Sequence, residues 1–166
     1  MSVSGGYTYQ ATLTFQPPQH ASGSAISQCT YNPTTDAELV GTLTVTNETN
    51  FSGEPGVSIE PNGSADVTST NADSCDNSGT GYGFNETATS PLSQGQSFTN
   101  TIYVIIPNFY TPDHPNGDPA SVRNQTIGIF YYDQDTQTTA NGGSITGPGE
   151  GPGTDGISLA GATGVS

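Results

Sequence analysis

The stretch Phe98-Thr-Asn-Thr-Ile-Tyr-Val-Ile-Ile-Pro107 decides the fold, because it is the most apolar run in a chain otherwise rich in Thr, Ser, Asn, Gly and Gln. Its apolar residues first alternate and then occur on both parities, a pattern typical of a central strand covered on both faces. Pro107 cannot donate to a sheet ladder and therefore ends the predicted strand. Because burial of each aliphatic side chain would contribute about 1.5–3 kcal/mol, we expect the rest of the chain to pack against this strand.

The composition favours one thin core built from strands. Only 30% of the 166 residues are hydrophobic, and the chain has 22 glycines, 12 prolines and no tryptophan. Helix-forming residues are scarce, whereas Thr, Val, Ile, Tyr and Phe occur in short runs. We therefore expect a single all-β domain in the form of a sandwich.

Six other segments are predicted to be strands, because β-branched and aromatic residues recur in them at period two or in short runs. They comprise residues 7–15, 25–31, 38–46, 57–59, 65–69 and 125–132. Long polar loops are expected at 70–90 and 108–124, and such loops commonly carry binding surfaces.

The apolar content falls sharply after residue 138, so we expect the sandwich domain to occupy residues 1–138. Residues 139–166 contain a Gly- and Pro-rich run and are predicted to form a low-complexity C-terminal arm. This arm is expected either to be a loose tail or to be ordered on a neighbouring subunit through Ile157, Leu159 and Val165.

The charge balance excludes whole classes of partner. Fifteen acidic residues face one basic residue, Arg123, which gives a formal net charge of -14. A nucleic-acid binder must neutralise phosphates with Lys and Arg, and an anionic membrane surface makes the same demand. No run approaches the roughly 18 apolar residues of a membrane-spanning helix. The acidity indicates adaptation to high salt, a neutral-polar extracellular or virion surface, or both.

The residues after Met1 lack the basic and apolar regions of a signal peptide, so we expect no export by the usual route. The hydroxyl- and amide-rich composition is nevertheless typical of a protein outside the cell. A particle assembled in the cytoplasm and later released, such as a virion, would reconcile the two observations. A processed or recombinant chain would do so as well.

Two segments resemble parts of extracellular immunoglobulin-like domains. Gly41-Thr-Leu-Thr-Val-Thr-Asn47, with the polar loop after it, resembles their B-to-C region, and Pro91-Leu-Ser-Gln-Gly-Gln-Ser-Phe98 resembles their approach to the E strand. The run Ile127–Asp133 resembles a closing strand. The resemblance covers residues 38–133 and is to modules of archaeal and bacterial surface proteins. It implies an immunoglobulin-like β-sandwich, with a jelly roll as the alternative, and it implies no activity.

The two cysteines, Cys29 and Cys75, are candidates for a disulfide that closes a long loop. Both lie in polar, Gly-rich surroundings, where a covalent link would stabilise more than core packing could. Assembly in the cytoplasm would argue against early oxidation. A cysteine nucleophile is not expected, because no motif supplies the base that it needs.

The histidines and acidic pairs give no recognisable catalytic or metal site. His20 and His114 are expected to be exposed loop residues, since three or four ligands at metal-binding spacing are missing. The pairs Asp73/Asp76 and Asp133/Asp135 lack the calcium-loop pattern and are interpreted as solvated acids. A hydrolase is the least favoured class, because glycoside hydrolysis needs two carboxylates held in a cleft. We expect no catalytic residue, metal or cofactor.

The predicted loops also carry candidate modification and binding residues. Five Asn-x-Ser/Thr sequons are candidate glycosylation sites: Asn47, Asn50, Asn62, Asn85 and Asn124. Four loop aromatics are candidates for stacking on a sugar or for closing the end of the sandwich: Tyr82, Phe84, Phe109 and Tyr110.

Together these features predict a non-enzymatic structural protein of a virion surface, such as a head decoration, turret or tail component of a virus infecting a halophilic host. It would bind other copies of itself and other virion or surface proteins. The alternative is a carbohydrate- or receptor-binding adhesion module, whose partners would include host-surface glycans. Either function implies a virion or extracellular surface location, without nucleic acid and without membrane insertion.

Overall fold

The computed structural model describes residues 6–71, 74–77, 84–142 and 154–165, which form two β-sheets around a shared core. The strands are β1 (Thr8–Phe15), β2 (Gln19–His20), β3 (Ala37–Asn47), β4 (Pro55–Asn62), β5 (Asp66–Ser69), β6 (Asp76–Asn77), β7 (Phe84–Thr87), β8 (Ser97–Ile106), β9 (Thr126–Asp133), β10 (Thr138–Thr139), β11 (Asn141–Gly142) and β12 (Thr154–Ser158). The described helices are a 3-10 helix (Ser24–Ile26), α1 (Pro119–Val122) and α2 (Leu159–Thr163).

The larger sheet has the strand order β11-β1-β3-β8-β5-β6, with β2 also paired to β3. The most apolar segment of the sequence, β8, lies between β3 and β5 and is antiparallel to both, which confirms that it is an interior strand. In the smaller sheet, β9 pairs with β4 on one side and with β10 and β12 on the other, and β7 lies beyond β4. The fold is therefore an all-β sandwich, as predicted.

The core lies between the two sheets, where alternate residues of each strand point inward. The inward face of β8 carries Ile102, Val104 and Ile106, and that of β9 carries Ile127 and Ile129; all five side chains are fully buried in one cluster. The period-two pattern of these strands therefore identifies their buried faces correctly.

The outer face of β8 is covered over only half its length. Ile105 is buried on that face against Ala21, Ile26 and Cys29, which belong to the segment between β2 and β3. The prediction that this strand is covered on both faces is therefore confirmed for its second half. The first half, beginning at Ser97, leaves its outer side chains exposed or half-exposed.

The segment predicted as a strand over residues 25–31 instead begins in the 3-10 helix and continues as a turn, closed by a 2.9 Å bond from the Cys29 amide to the Ile26 carbonyl. A three-residue spacing in such a turn places Ile26 and Cys29 on one side, where both pack in one buried cluster with Ile105 of β8. A disulfide joins Cys29 to Cys75, with the two Cα atoms 5.0 Å apart.

The C-terminal segment differs from the predicted arm, and the sandwich does not end at residue 138. Residues 143–153 lie outside the described residues, but β12 pairs with β9 of the same chain, from Thr154 opposite Phe130 to Ser158 opposite Thr126. Leu159 is fully buried in the main core. On this edge of β9, β10 pairs only with Tyr132 and Asp133, so residues 126–130 remain free to bond with β12. A few apolar anchors then suffice to dock the segment within its own chain.

Candidate functional site

Of the four candidate loop aromatics, the structure describes the side chains of Phe109 and Tyr110. Phe109 is fully buried and packs edge-on against Tyr110, with ring centroids 4.9 Å apart. Phe109 therefore closes the end of the core, and its assignment as a binding residue is wrong. Tyr82 and Asp73 lie outside the described residues, as does the side chain of Phe84, whose backbone begins β7.

The half-buried Tyr110 ring stacks on the exposed imidazole of His20, with the centroids 3.9 Å apart. The Nδ1 atom of His20 also lies 3.1 Å from the Pro33 carbonyl oxygen. The other histidine, His114, is exposed and lies 3.8 Å from Asp118. In the described ranges, no group of three or more His, Cys, Asp or Glu side chains converges in a way that could hold a metal ion.

An exposed aromatic lies on β9, outside the loops in which binding residues were predicted. Phe130 of β9 is 41% exposed on the outer face of the smaller sheet. Tyr132 follows two residues later on the same face, where its ring covers Gly56 so closely that a Cβ there would lie 2.5 Å away. In β9, Phe130 and Tyr132 alternate with the buried Ile129 and Tyr131 and so lie on the opposite face. The alternation in the sequence could therefore have identified both as outward-facing aromatics.

Asp133 was interpreted as a solvated acid, and this is wrong, since its carboxylate is fully buried. Its Oδ1 accepts from the Tyr9 hydroxyl at 2.6 Å and from the Glu54 amide at 2.9 Å. Its Oδ2 accepts from the amide and hydroxyl of Thr136. Burial alone would raise the pKa of Asp133, but the hydrogen bonds from Tyr9, Thr136 and Glu54 outweigh it and hold the pKa below its ordinary value.

Two other buried carboxylates are also held by neutral donors. Asp36 accepts from the amides of Asn32 and Asn108, at 2.7 and 3.0 Å, which ties two loops together. Glu86 accepts from the side chains of Ser69 and Asn100 and thereby links β7 to the opposite sheet. Since the chain has no lysine and one arginine, hydroxyls and amides satisfy charges that other proteins pair with cations.

The sequons separate into one structural and four exposed asparagines. Asn47 is fully buried; its amide donates to the carbonyls of Phe51 and Leu92, and its Oδ1 accepts from the Thr49 amide. Asn47 is therefore not accessible to a glycan in the folded chain, and its candidacy as a glycosylation site is wrong. The other four candidates have exposed side chains: Asn50, Asn62, Asn85 and Asn124.

The uncovered half of the larger sheet carries a regular array of neutral side chains, which we call the hydroxyl face. Cross-strand register places Thr12 opposite Thr44 and Thr44 opposite Thr99, with equivalent rows on either side. Threonine hydroxyls in one row lie 3.3 Å apart, between Thr44 and Thr99. The hydroxyl face comprises Gln10, Thr12 and Thr14 of β1, Thr42, Thr44 and Thr46 of β3, and Ser97, Thr99 and Thr101 of β8.

An open polar pocket of about 510 Å³ lies at one end of the sandwich. The β4–β5 turn contributes Gly63 and Ser64, and the loop after β8 contributes Asn108. The segment around α1 contributes five further polar or charged residues to the pocket: Asp118, Ser121, Arg123, Asn124 and Gln125.

Neither α-helix among the described residues has the length or the apolar character needed to cross a bilayer. Comparison with protein-family models finds no matching family, and comparison with curated proteins finds no match. A FixG-related protein from Vibrio parahaemolyticus is 16% identical over 79% of this chain and 87% of its own, with a TM-score of 0.37. The N-terminal domain of PorA is 10% identical over 93% of this chain and 87% of its own, with a TM-score of 0.34. At these TM-scores neither similarity carries an argument about function.

Proposed function

We propose that this protein is a non-enzymatic structural subunit that self-associates through the hydroxyl face, as part of a virion surface or another extracellular assembly. The observation that supports the proposal most is that the nine residues of this face are all uncharged, in a chain with a net charge of -14. Two copies that approach through other surfaces bring carboxylates together, whereas two hydroxyl faces meet without that repulsion.

The side chains of the hydroxyl face suit a contact surface. Threonine is β-branched and stiff at χ1, so little rotamer freedom is lost when it is covered. The pair formed by Thr46 and Ser97 already shares a 2.6 Å hydrogen bond between its hydroxyls. A partner that covers this row therefore leaves those groups satisfied.

The size of the hydroxyl face predicts a weak contact. Three strands about 4.8 Å apart and five residues of about 3.3 Å each give roughly 250 Å². A stable dimer buries about 800 Å² per partner, so this face needs adjoining surface or many repeated copies. Such contacts are typical of subunits that assemble on a symmetric particle.

The strand order supports an immunoglobulin-like sandwich rather than a jelly roll. The run β1-β3-β8-β5 opposite β12-β9-β4 corresponds to the A-B-E-D and G-F-C sheets of immunoglobulin domains. In that correspondence, the segment ending at Asn47 is the B strand and the segment after Pro91 leads into the E strand. The Cys29–Cys75 disulfide supports an oxidising, extracellular location.

Sedimentation measurements on Thr44→Asp and a matched control test the proposal. The control is Ser58→Asp, which adds the same charge to a half-exposed position on the outer face of the smaller sheet. We expect wild-type self-association to strengthen between about 0.1 M and 1 M NaCl as repulsion is screened. Thr44→Asp should raise the dissociation constant about tenfold or more, and Ser58→Asp should not. Equal behaviour of the two variants, or a wild type that is monomeric at every salt and protein concentration, would exclude the proposal.

A further inference from the structure

We infer that Asn62 carries an N-linked glycan whose first sugar packs against the exposed ring of Phe130. The site lies on the outer face of the smaller sheet, whereas the hydroxyl face belongs to the larger sheet. The inference depends on the proposed extracellular location but not on self-association. It rests on the exposure of Phe130, on the Asn62 amide beside that ring, and on the glycine between them.

Among the described residues, Phe130 is the one large hydrophobic side chain that is exposed. A single exposed ring needs no partner by itself; its neighbours in this sheet are what indicate one. The exposed carbon surface of the ring is stabilised when another apolar surface covers it. One side of a pyranose ring presents mainly C–H groups, so a sugar covers an aromatic ring while its own hydroxyls stay hydrated.

The side-chain amide of Asn62 lies beside the Phe130 ring. A Cβ placed on Gly128 would lie 3.5 Å from Cε2 of Phe130 and 3.6 Å from Nδ2 of Asn62. Those two atoms are therefore at most about 7 Å apart, a gap that one pyranose ring spans. Because Nδ2 is the atom to which an N-linked sugar is joined, the first sugar begins at the edge of this gap.

Gly128 keeps the gap between the amide and the ring open. Any side chain at this position would begin within van der Waals contact of both groups and would occupy the space between them. Glu60 lies directly opposite Gly128 on β4 and is half-exposed. Its carboxylate is thus available to accept a hydrogen bond from a sugar hydroxyl at the same place.

The sequon that contains Asn62 is accessible along its whole length. Asn62, Gly63 and Ser64 are all exposed, where the chain turns from β4 into β5. Gly63 has φ +105°, a conformation that glycine adopts without strain. An Asn-x-Ser sequence in an exposed turn is a typical acceptor for N-glycosylation.

The modification is a glycosyl transfer from a lipid-diphosphate-linked saccharide, catalysed by a transferase of the host. Nδ2 of Asn62 forms a bond to the anomeric carbon of the donor sugar. The bond between that carbon and the phosphate oxygen breaks, the lipid diphosphate leaves with the electron pair, and the amide gives up one proton. The product keeps one N–H on the amide and adds no charge to an already acidic chain.

Other exposed sequons lack this relationship to an aromatic ring. Asn85 lies on the same face, but the cross-strand register places Ser58 between it and Phe130. Asn50 lies just beyond the end of β3, at the opposite end of the sandwich. A glycan on Asn50 therefore serves as a control for effects of glycosylation that do not involve Phe130.

Expression of the full chain in a secretory host that glycosylates asparagine, followed by peptide mapping, tests the modification. We expect a glycan on Asn62 of the wild type. The packing is tested by denaturant unfolding of wild type, Asn62→Gln, Phe130→Thr and the double variant from the same host; threonine suits an exposed strand position. Loss of the glycan should raise the unfolding equilibrium constant about fivefold when Phe130 is present, the scale of one aromatic contact. It should change that constant less than about twofold in the Phe130→Thr background.

The control cycle combines Asn50→Gln with Phe130→Thr, and we expect no coupling between these two positions. The inference is overturned by a wild-type Asn62 without a glycan, by an equal effect of Asn62→Gln in the presence and absence of Phe130, or by the same coupling in the Asn50 cycle. Self-association is measured separately, by sedimentation of Thr44→Asp, so that failure of either proposal is distinguishable from failure of the other.

Discussion

The hydroxyl of Tyr9 donates a 2.6 Å hydrogen bond to Oδ1 of Asp133, and thereby joins β1 of one sheet to the end of β9 in the other. The neighbouring backbone amide of Ala11 donates to the Tyr131 hydroxyl at 3.0 Å. Two strands whose bonded residues are 120 or more positions apart in sequence are thus linked twice by buried polar contacts. Because both contacts are buried and join the two sheets, we expect them to contribute measurably to stability.

Replacement of Tyr9 by phenylalanine leaves the ring in the core and removes one donor to a buried carboxylate. We expect the free energy of unfolding in denaturant to fall by about 1.5–3 kcal/mol, the range for hydrogen bonds to charged groups. Tyr31→Phe is the control, since the Tyr31 hydroxyl lies 3.5 Å from the Gly23 carbonyl, at the limit of a hydrogen bond. Similar losses in the two variants would contradict a special role for the pair formed by Tyr9 and Asp133.

The depressed pKa of Asp133 predicts how stability depends on pH. A carboxylate whose folded pKa lies below its unfolded value binds fewer protons when folded, so it stabilises the fold above the unfolded pKa of about 4. That contribution is lost as the pH falls from about 4 through the folded pKa. The difference in unfolding free energy between wild type and Asp133→Asn should therefore be largest at neutral pH and shrink below about pH 4. A difference that stays constant from neutral to acid pH would contradict this assignment.

Substitution of Asn47 and of Asn50 is expected to change stability by different amounts, because Asn47 is buried and Asn50 is exposed. Asn47→Ala removes two hydrogen bonds to the loop after β3 and a third to the Leu92 carbonyl, which lies between β7 and β8. It should lower the free energy of unfolding by about 2–3 kcal/mol or more. Asn50→Ala changes an exposed side chain and should remain within about 0.5 kcal/mol of wild type. Expression in a host that glycosylates asparagine, followed by peptide mapping, should find glycans on the exposed sequons only. A glycan on Asn47 of the folded protein would show that the loop opens.

The Cys29–Cys75 disulfide spans 46 residues, and its removal should lower stability by about 4 kcal/mol if loop-closure entropy dominates. Cys29→Ala with Cys75→Ala in one variant tests this by chemical denaturation with and without reductant. Hydrogen exchange should speed up in residues 19–36, since the bridge holds this segment over Ile105. Wild type and variant of equal stability under non-reducing conditions would contradict the prediction.

The docking of α2 makes the C-terminal segment part of the core. Leu159→Ala should lower the free energy of unfolding by about 2–5 kcal/mol, the usual cost of a large-to-small change at a fully buried site. Val165→Ala, at a half-buried position, should cost clearly less. An unchanged unfolding midpoint for Leu159→Ala would indicate that this segment does not dock in solution.

Periodicity in the sequence identified β1, β3, β8 and β9, in which apolar and polar residues alternate, but it missed β7, which lies inside the loop predicted over residues 70–90. In β3, Leu43 and Val45 point inward and Thr44 points outward, as their alternation indicates. The short segment that contains Ile26 and Cys29 was less informative, because so few apolar residues fit either a strand or a turn. The C-terminal anchors were too few to distinguish a loose arm from a docked strand.

The sequence by itself determined the fold class, the central position of β8 and the richness of the chain in hydroxyl and amide side chains, because these follow from local periodicity and composition. Only the tertiary structure decided that Asp133 and Asn47 are buried, that Phe109 closes the core, and that Gly63 and Gln125 meet in one pocket. Those outcomes depend on which distant segments come together across the sandwich. A polar residue in a loop looks the same in the sequence whether its partners are solvent or the donors of a strand more than a hundred residues away.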